Sequence, residues 1–159
     1  IDQIILKFSK NSFDYVSNNI EEENGKWKNS MCGFPQGMVV EICNFNTLEK
    51  AWRKAKKPSE REHVFPYIQF NPKLFKISNI VYKKDFSLIR CTVDKKEDLK
   101  FIRELWKEIP KTKKIIHIED ILKIIKKKPF LAEINNKINF DEGYKRSIKK
   151  DKKYLKKMI

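Results

Sequence analysis

The sequence predicts an α/β fold in which helices cover a sheet. Strand-like and helix-like patterns alternate through most of the chain. Hydrophobic residues make up 40% of the 159 residues and aromatic residues 12%, enough to build a core. No internal repeat or long linker divides the chain, whose length suits one domain or part of a larger one.

Ile1, Ile4, Ile5 and Phe8 recur at helical spacing and predict an amphipathic helix at the start. Residues 13–17 (FDYVS) read as a short strand, and the polar stretch 18–36, with Gly25, Gly33 and Pro35, as a surface loop. The β-branched run 38–43 (MVVEIC) predicts a buried strand. Asn46 is the expected N-cap of a helix over 47–56, with Leu48, Ala51, Trp52 and Ala55 as its apolar stripe. After Pro58, Ser59 and Glu62 form an S-x-x-E capping pair that opens a second helix carrying Val64, Tyr67 and Ile68 and stopping before Pro72. Two further strands are expected over 74–82 and 87–93, separated by a charged turn at 83–85. Asp94 and Glu97 supply a capping signal for a helix over 95–108, buried through Leu99, Ile102, Leu105 and Trp106. The last third is helical with breaks: 118–127, a segment after Pro129 to about 135, and a helix from 142. Tyr144, Ile148, Leu155 and Ile159 share one side of that last helix. We read the side as a docking stripe interrupted by Asp151, with a partner or an anionic membrane surface as alternatives.

Lys and Arg number 36 against 21 Asp and Glu, a net charge of +15, of which +10 falls from Lys107 onward (17 against 7). Five of the 36 are Arg, the residue suited to bidentate phosphate and base recognition. A lysine-rich solvated surface is the reading, and nucleic acid is not an expected partner. No run approaches the roughly 18 apolar residues of a membrane span, and no signal-peptide pattern opens the chain, so a soluble, cytoplasmic protein is expected. Cys32, Cys43 and Cys91 share no metal or disulfide spacing. The four glycines fall in no phosphate-cradling motif, and neither His63 nor His117 has a partner at metal-ligand spacing.

Two carboxylates stand out. Asp94 lies at the C-terminal end of an expected strand, where ligands of α/β sheets gather, and competes there with a capping role. Glu41 lies inside an apolar strand and needs a partner or a task. Arg90, beside the same strand end as Asp94, suits either a phosphate contact or an ion pair.

Four stretches, taken in order, carry a resemblance: FPQGMVVEICNFNTLEKAW (34–52), SEREHVFPYI (59–68), IRCTVDKKEDLKFI (89–102) and LAEINNKINFDEGYKRSIKKD (131–151). They resemble the C-terminal two-thirds of the cytidylyltransferase family that includes spore coat polysaccharide biosynthesis protein F and is related to CMP-Kdo and acylneuraminate cytidylyltransferases. The resemblance implies a Rossmann-like nucleotidyltransferase fold, with 1–110 as the C-terminal part of that domain and 111–159 as a basic helical extension. It places the triphosphate-binding loop and a first magnesium-binding aspartate upstream of Ile1, so that this stretch alone would be inactive.

By the same resemblance the substrates would be CTP and a sugar acid, the cofactor Mg2+, the partner a second copy of the chain, and the setting surface polysaccharide biosynthesis. Asp94 matches the second metal-binding aspartate. Glu41 is kept from a G-L-D-V-E-V pattern in which Val39 replaces the aspartate, and Gln36 stands where Asp is common. Arg61 and His63 resemble the acceptor-side helix, facing a sugar carboxylate or a partner subunit. No catalytic base is assigned. Two other readings stand beside this one: a non-catalytic basic module for nucleic acid, and a degenerate homologue kept for dimerisation.

Overall fold

The computed structural model describes residues 1–24, 26–139 and 142–157, as a mixed α/β protein with two small sheets and many helices. It divides into two compact units, one holding Ile1–Phe34, Val39–Lys84 and the C-terminal helix, the other Pro35–Met38 and Asp85–Asn139.

The first unit opens with α1 (Asp2–Lys10), which buries Ile4 while Ile1 and Ile5 stay exposed. β1 (Tyr15–Ser17) follows, every residue of it buried. The expected loop then proves to be a hairpin, β2 (Ile20–Glu23) with β3 (Lys26–Asn29), antiparallel from Ile20↔Asn29 to Glu23↔Lys26. Its polarity comes from facing water on one side. Asn24 lies at φ +52°, as a tight hairpin turn requires, and Asn24-Gly25 is the sequence signal for it. Ile20, Met31 and Cys32 are buried, and Gly33, at φ +79°, passes so close that a Cβ would meet the Lys84 carbonyl oxygen at 2.8 Å.

Only Glu41–Cys43 of the run 38–43 pairs, as β4. The sheet order is β4-β1-β5, with β5 (Ile77–Asn79) parallel to β1 and β4 antiparallel to it. α2 (Phe45–Lys54) begins two residues earlier than expected. Its cap is Asn44, whose side chain accepts the Thr47 N–H at 2.8 Å; Ala51 and Ala55 are buried, and Trp52 is exposed. The next helix is broken in two, α3 (Pro58–Glu62) and α4 (Pro66–Gln69), because Val64 takes a left-handed φ of +65°. Glu60, not Glu62, accepts the backbone N–H groups of Lys56 and Lys57 at the start of α3. Tyr15, Ile20, Ala51, Ile68 and Phe75 form the core of this unit.

In the second unit the segment expected as a strand over 87–93 begins in a turn closed by Ile89 N–H on the Phe86 carbonyl, and it forms only an isolated parallel bridge, Gln36↔Arg90. Gly37, at φ +88°, permits that approach, since a Cβ there would lie 2.8 Å from Thr92 Cγ2. α5 (Lys96–Lys107), α6 (Ile118–Lys127) and α7 (Phe130–Glu133) agree with their expected spans. The buried face of α5 is rotated from the expected one: Phe101 and Leu105 join Ile125 and Leu131 in a second core, while Leu99 and Trp106 are exposed.

The C-terminal helix α8 (Glu142–Lys156) closes the first unit by packing on α3. Its buried residues are Ser147 and Asp151, so the residue expected to interrupt the docking face is its anchor. Leu155 is 46% exposed, and Ile159 of the expected stripe lies outside the described residues.

Candidate active site

The second unit joins Arg90 and Asp94 in one network. The bridge to Gln36 fixes the extended chain at Arg90, and the first turn of α5 carries Asp98 back beneath it. Arg90 Nε donates to Asp98 Oδ1 at 2.9 Å and Nη2 to Asp98 Oδ2 at 3.0 Å, a bidentate pair buried from water. The same Nη2 reaches Asp94 Oδ2 at 3.1 Å.

Asp98 Oδ2 also accepts the N–H groups of Asp94 and Lys95, at 3.0 and 3.1 Å. The expected capping role of Asp94 is therefore filled by Asp98, the N3 residue reaching back to the free amides of the helix start. Asn135, just past α7, donates to the Arg90 carbonyl at 3.0 Å and to Asp98 Oδ1 at 2.8 Å; its own Oδ1 is buried without a protein partner.

Burial by itself would raise the Asp98 carboxyl pKa. The Arg90 guanidinium, the Asn135 amide and the two backbone N–H groups outweigh it and hold the group well below the usual carboxylate range. Arg90 is pushed up in turn, chiefly by its bond to Asp98, and stays charged. Asp94 contrasts with both. Its side chain is 66% exposed and is held at one oxygen, so it can offer the other to a ligand. A hard oxygen donor of this kind fits a magnesium ion, which takes one or two carboxylates and fills its shell with water and phosphate. No cluster of three ligating side chains occurs among the described residues.

The other candidates lie in the first unit, in three separate settings. Glu41 has found its partner: the Tyr15 hydroxyl donates to it, and Gln69 Nε2 reaches both Tyr15 Oη (2.9 Å) and Glu41 Oε1 (3.3 Å). Burial raises the Glu41 carboxyl, and burial followed by the Glu41 charge pushes the Tyr15 phenol far up. Arg61 lies over the Trp52 ring at 6.0 Å and donates to the Trp52 carbonyl at 2.7 Å. Both border an open apolar groove with Phe45, Leu48 and Val64.

His63 faces α8. Its Nε2 lies 3.0 Å from Ser147 Oγ, which donates to Glu62 Oε2 at 2.8 Å; His63 is thereby the donor to Ser147, with its proton on Nε2. Sequence reasoning missed Asp98, Asn135, Tyr15, Gln69 and Ser147. Asp98 had a signal, since it stands three residues after the true cap, Lys95.

No known family model matches the sequence. The chain is 36% identical over 141 residues to an uncharacterised protein of Methanocaldococcus jannaschii, a match that covers 87% of this chain and 51% of that protein. Its fold is similar to a solved cytidylyltransferase of Leptospira borgpetersenii, with a TM-score of 0.70 and 25% identity, covering 87% of this chain and 53% of the other. The chain thus spans about half the length of the relatives it matches.

Proposed function

We propose that the chain is the C-terminal part of a cytidylyltransferase of the spore coat protein F and CMP-Kdo type, with a Rossmann-like nucleotidyltransferase domain. In this reading residues 1–110 complete that domain and 111–159 extend it. The reaction joins a hydroxyl oxygen of an acidic sugar to the α-phosphorus of CTP, breaks the bond to the β-phosphate oxygen and releases pyrophosphate and the hydroxyl proton, as a step toward surface polysaccharide. The observation that supports it most is the likeness in fold to a cytidylyltransferase across 87% of the chain.

Asp94 would hold Mg2+, whose charge would offset the negative charge gathering on the phosphates. Arg90 orients Asp94 from behind. Glu41, Arg61 and His63 are proposed on the acceptor side, through the first unit, and a second copy of the chain as the partner. The test is pyrophosphate release from CTP with a panel of 2-keto sugar acids, using the chain together with the residues that precede it in its gene. A CMP-sugar product identified by mass is expected. Preceding residues that contain no Arg- and Gly-rich phosphate loop would end the enzyme reading.

A further inference from the structure

Helix α8 has two unlike faces. At roughly 100° per residue, Ser147 and Asp151 fall together on the side packed against α3, and Arg146, Lys149, Lys152, Lys153 and Lys156 fall within an arc of roughly 120° centred on the opposite side. All five cations are exposed. The one carboxylate in the middle of the helix, Asp151, is turned inward, accepting Ser59 N–H at 2.8 Å and Ser59 Oγ–H at 2.5 Å. Lys150, at the edge of the arc, is drawn toward Glu62 at 3.0 Å. The bonds that seat the helix turn Asp151 away from the outer face, where Glu142 in the first turn is the one carboxylate among the cations.

We propose that this face rests on an anionic lipid surface. The chemistry of the face favours lipid over nucleic acid. Four of the five cations are lysines, which meet phosphate as point charges, and Tyr144 and Tyr154 both fall outside the arc, so it offers no platform for stacking bases. A single convex helix suits a broad phosphate layer, and the half-exposed Leu155 flanks the arc where it can enter the headgroup region. No described helix is long and apolar enough to cross a membrane, so the contact is peripheral. The inference does not depend on the proposed enzyme activity.

Flotation of the full chain with vesicles of equimolar phosphatidylglycerol and phosphatidylcholine, compared with phosphatidylcholine alone, tests it. Binding to the anionic vesicles is expected to vanish in high salt and to fall roughly tenfold or more in K149Q/K152Q/K156Q. The control K123Q/K126Q/K127Q removes the same charge from the other unit and should bind like the unaltered chain. Three results would overturn the proposal: no retention by anionic vesicles, equal losses in the two triple variants, or displacement from the vesicles by duplex DNA at matched phosphate.

Discussion

Asp94 and Asp98 meet the same guanidinium four residues apart, one 66% exposed and the other at 0%. Removing the buried charge strands Arg90, so Asp98→Asn should cost about 3–5 kcal/mol in chemical denaturation, whereas Asp94→Asn should cost under about 1 kcal/mol. The pH dependence follows from the directions of the shifts. Asp98 is depressed in the fold, so its stabilisation is complete above the ordinary carboxylate range near about pH 4 and is lost as the pH falls toward its folded value. Glu41 is raised by burial, so its contribution is fullest below about pH 4.3 and is lost as the pH rises through the folded value. Glu41→Gln, which keeps an acceptor for Tyr15 without the charge, should therefore leave stability at neutral pH unchanged or improved, as thermal melts would read. That Glu41 needed a partner was legible from its apolar neighbours. The partner itself was not, because Tyr15 and Gln69 reach it only once β1 and α4 have folded beside β4.

Among the elements, helices of nine or more residues were legible within a residue or two, since a repeated apolar spacing averages over local exceptions. Short elements were legible only in part: β1, β4, β5 and α7 fall within expected segments, while others do not. Around its Asn24-Gly25 signal the hairpin β2–β3 offers too little apolar alternation, and the break at Val64 puts a β-branched residue at positive φ, against its local preference. Val64→Gly should relieve that conformation and leave stability unchanged or raised by up to about 1 kcal/mol, against the usual cost of glycine. Docking of α8 was expected from its apolar stripe, yet polar anchors hold it. Asp151→Ala should therefore cost about 2–3 kcal/mol and speed hydrogen exchange throughout α8, while Leu155→Ala, on an exposed position, should do neither.

For the whole molecule, the fold class and the likeness to a cytidylyltransferase were readable from four separated stretches in order, and the 0.70 TM-score carries that likeness into three dimensions. The division into two units was not readable. Pro35–Met38 leaves the first unit for the second through close contacts at Gly33 and Gly37 that no local pattern announces. The exposed Asp94, oriented by the buried Arg90–Asp98 pair, is the residue proposed to serve cytidylyl transfer. The most direct measurement is steady-state pyrophosphate release from CTP and Mg2+ by the natural full-length protein and its Asp94→Asn variant. A fall in kcat of roughly a hundredfold or more is expected, with the melting temperature almost unmoved. An Asp94→Asn enzyme as fast as the parent would contradict it.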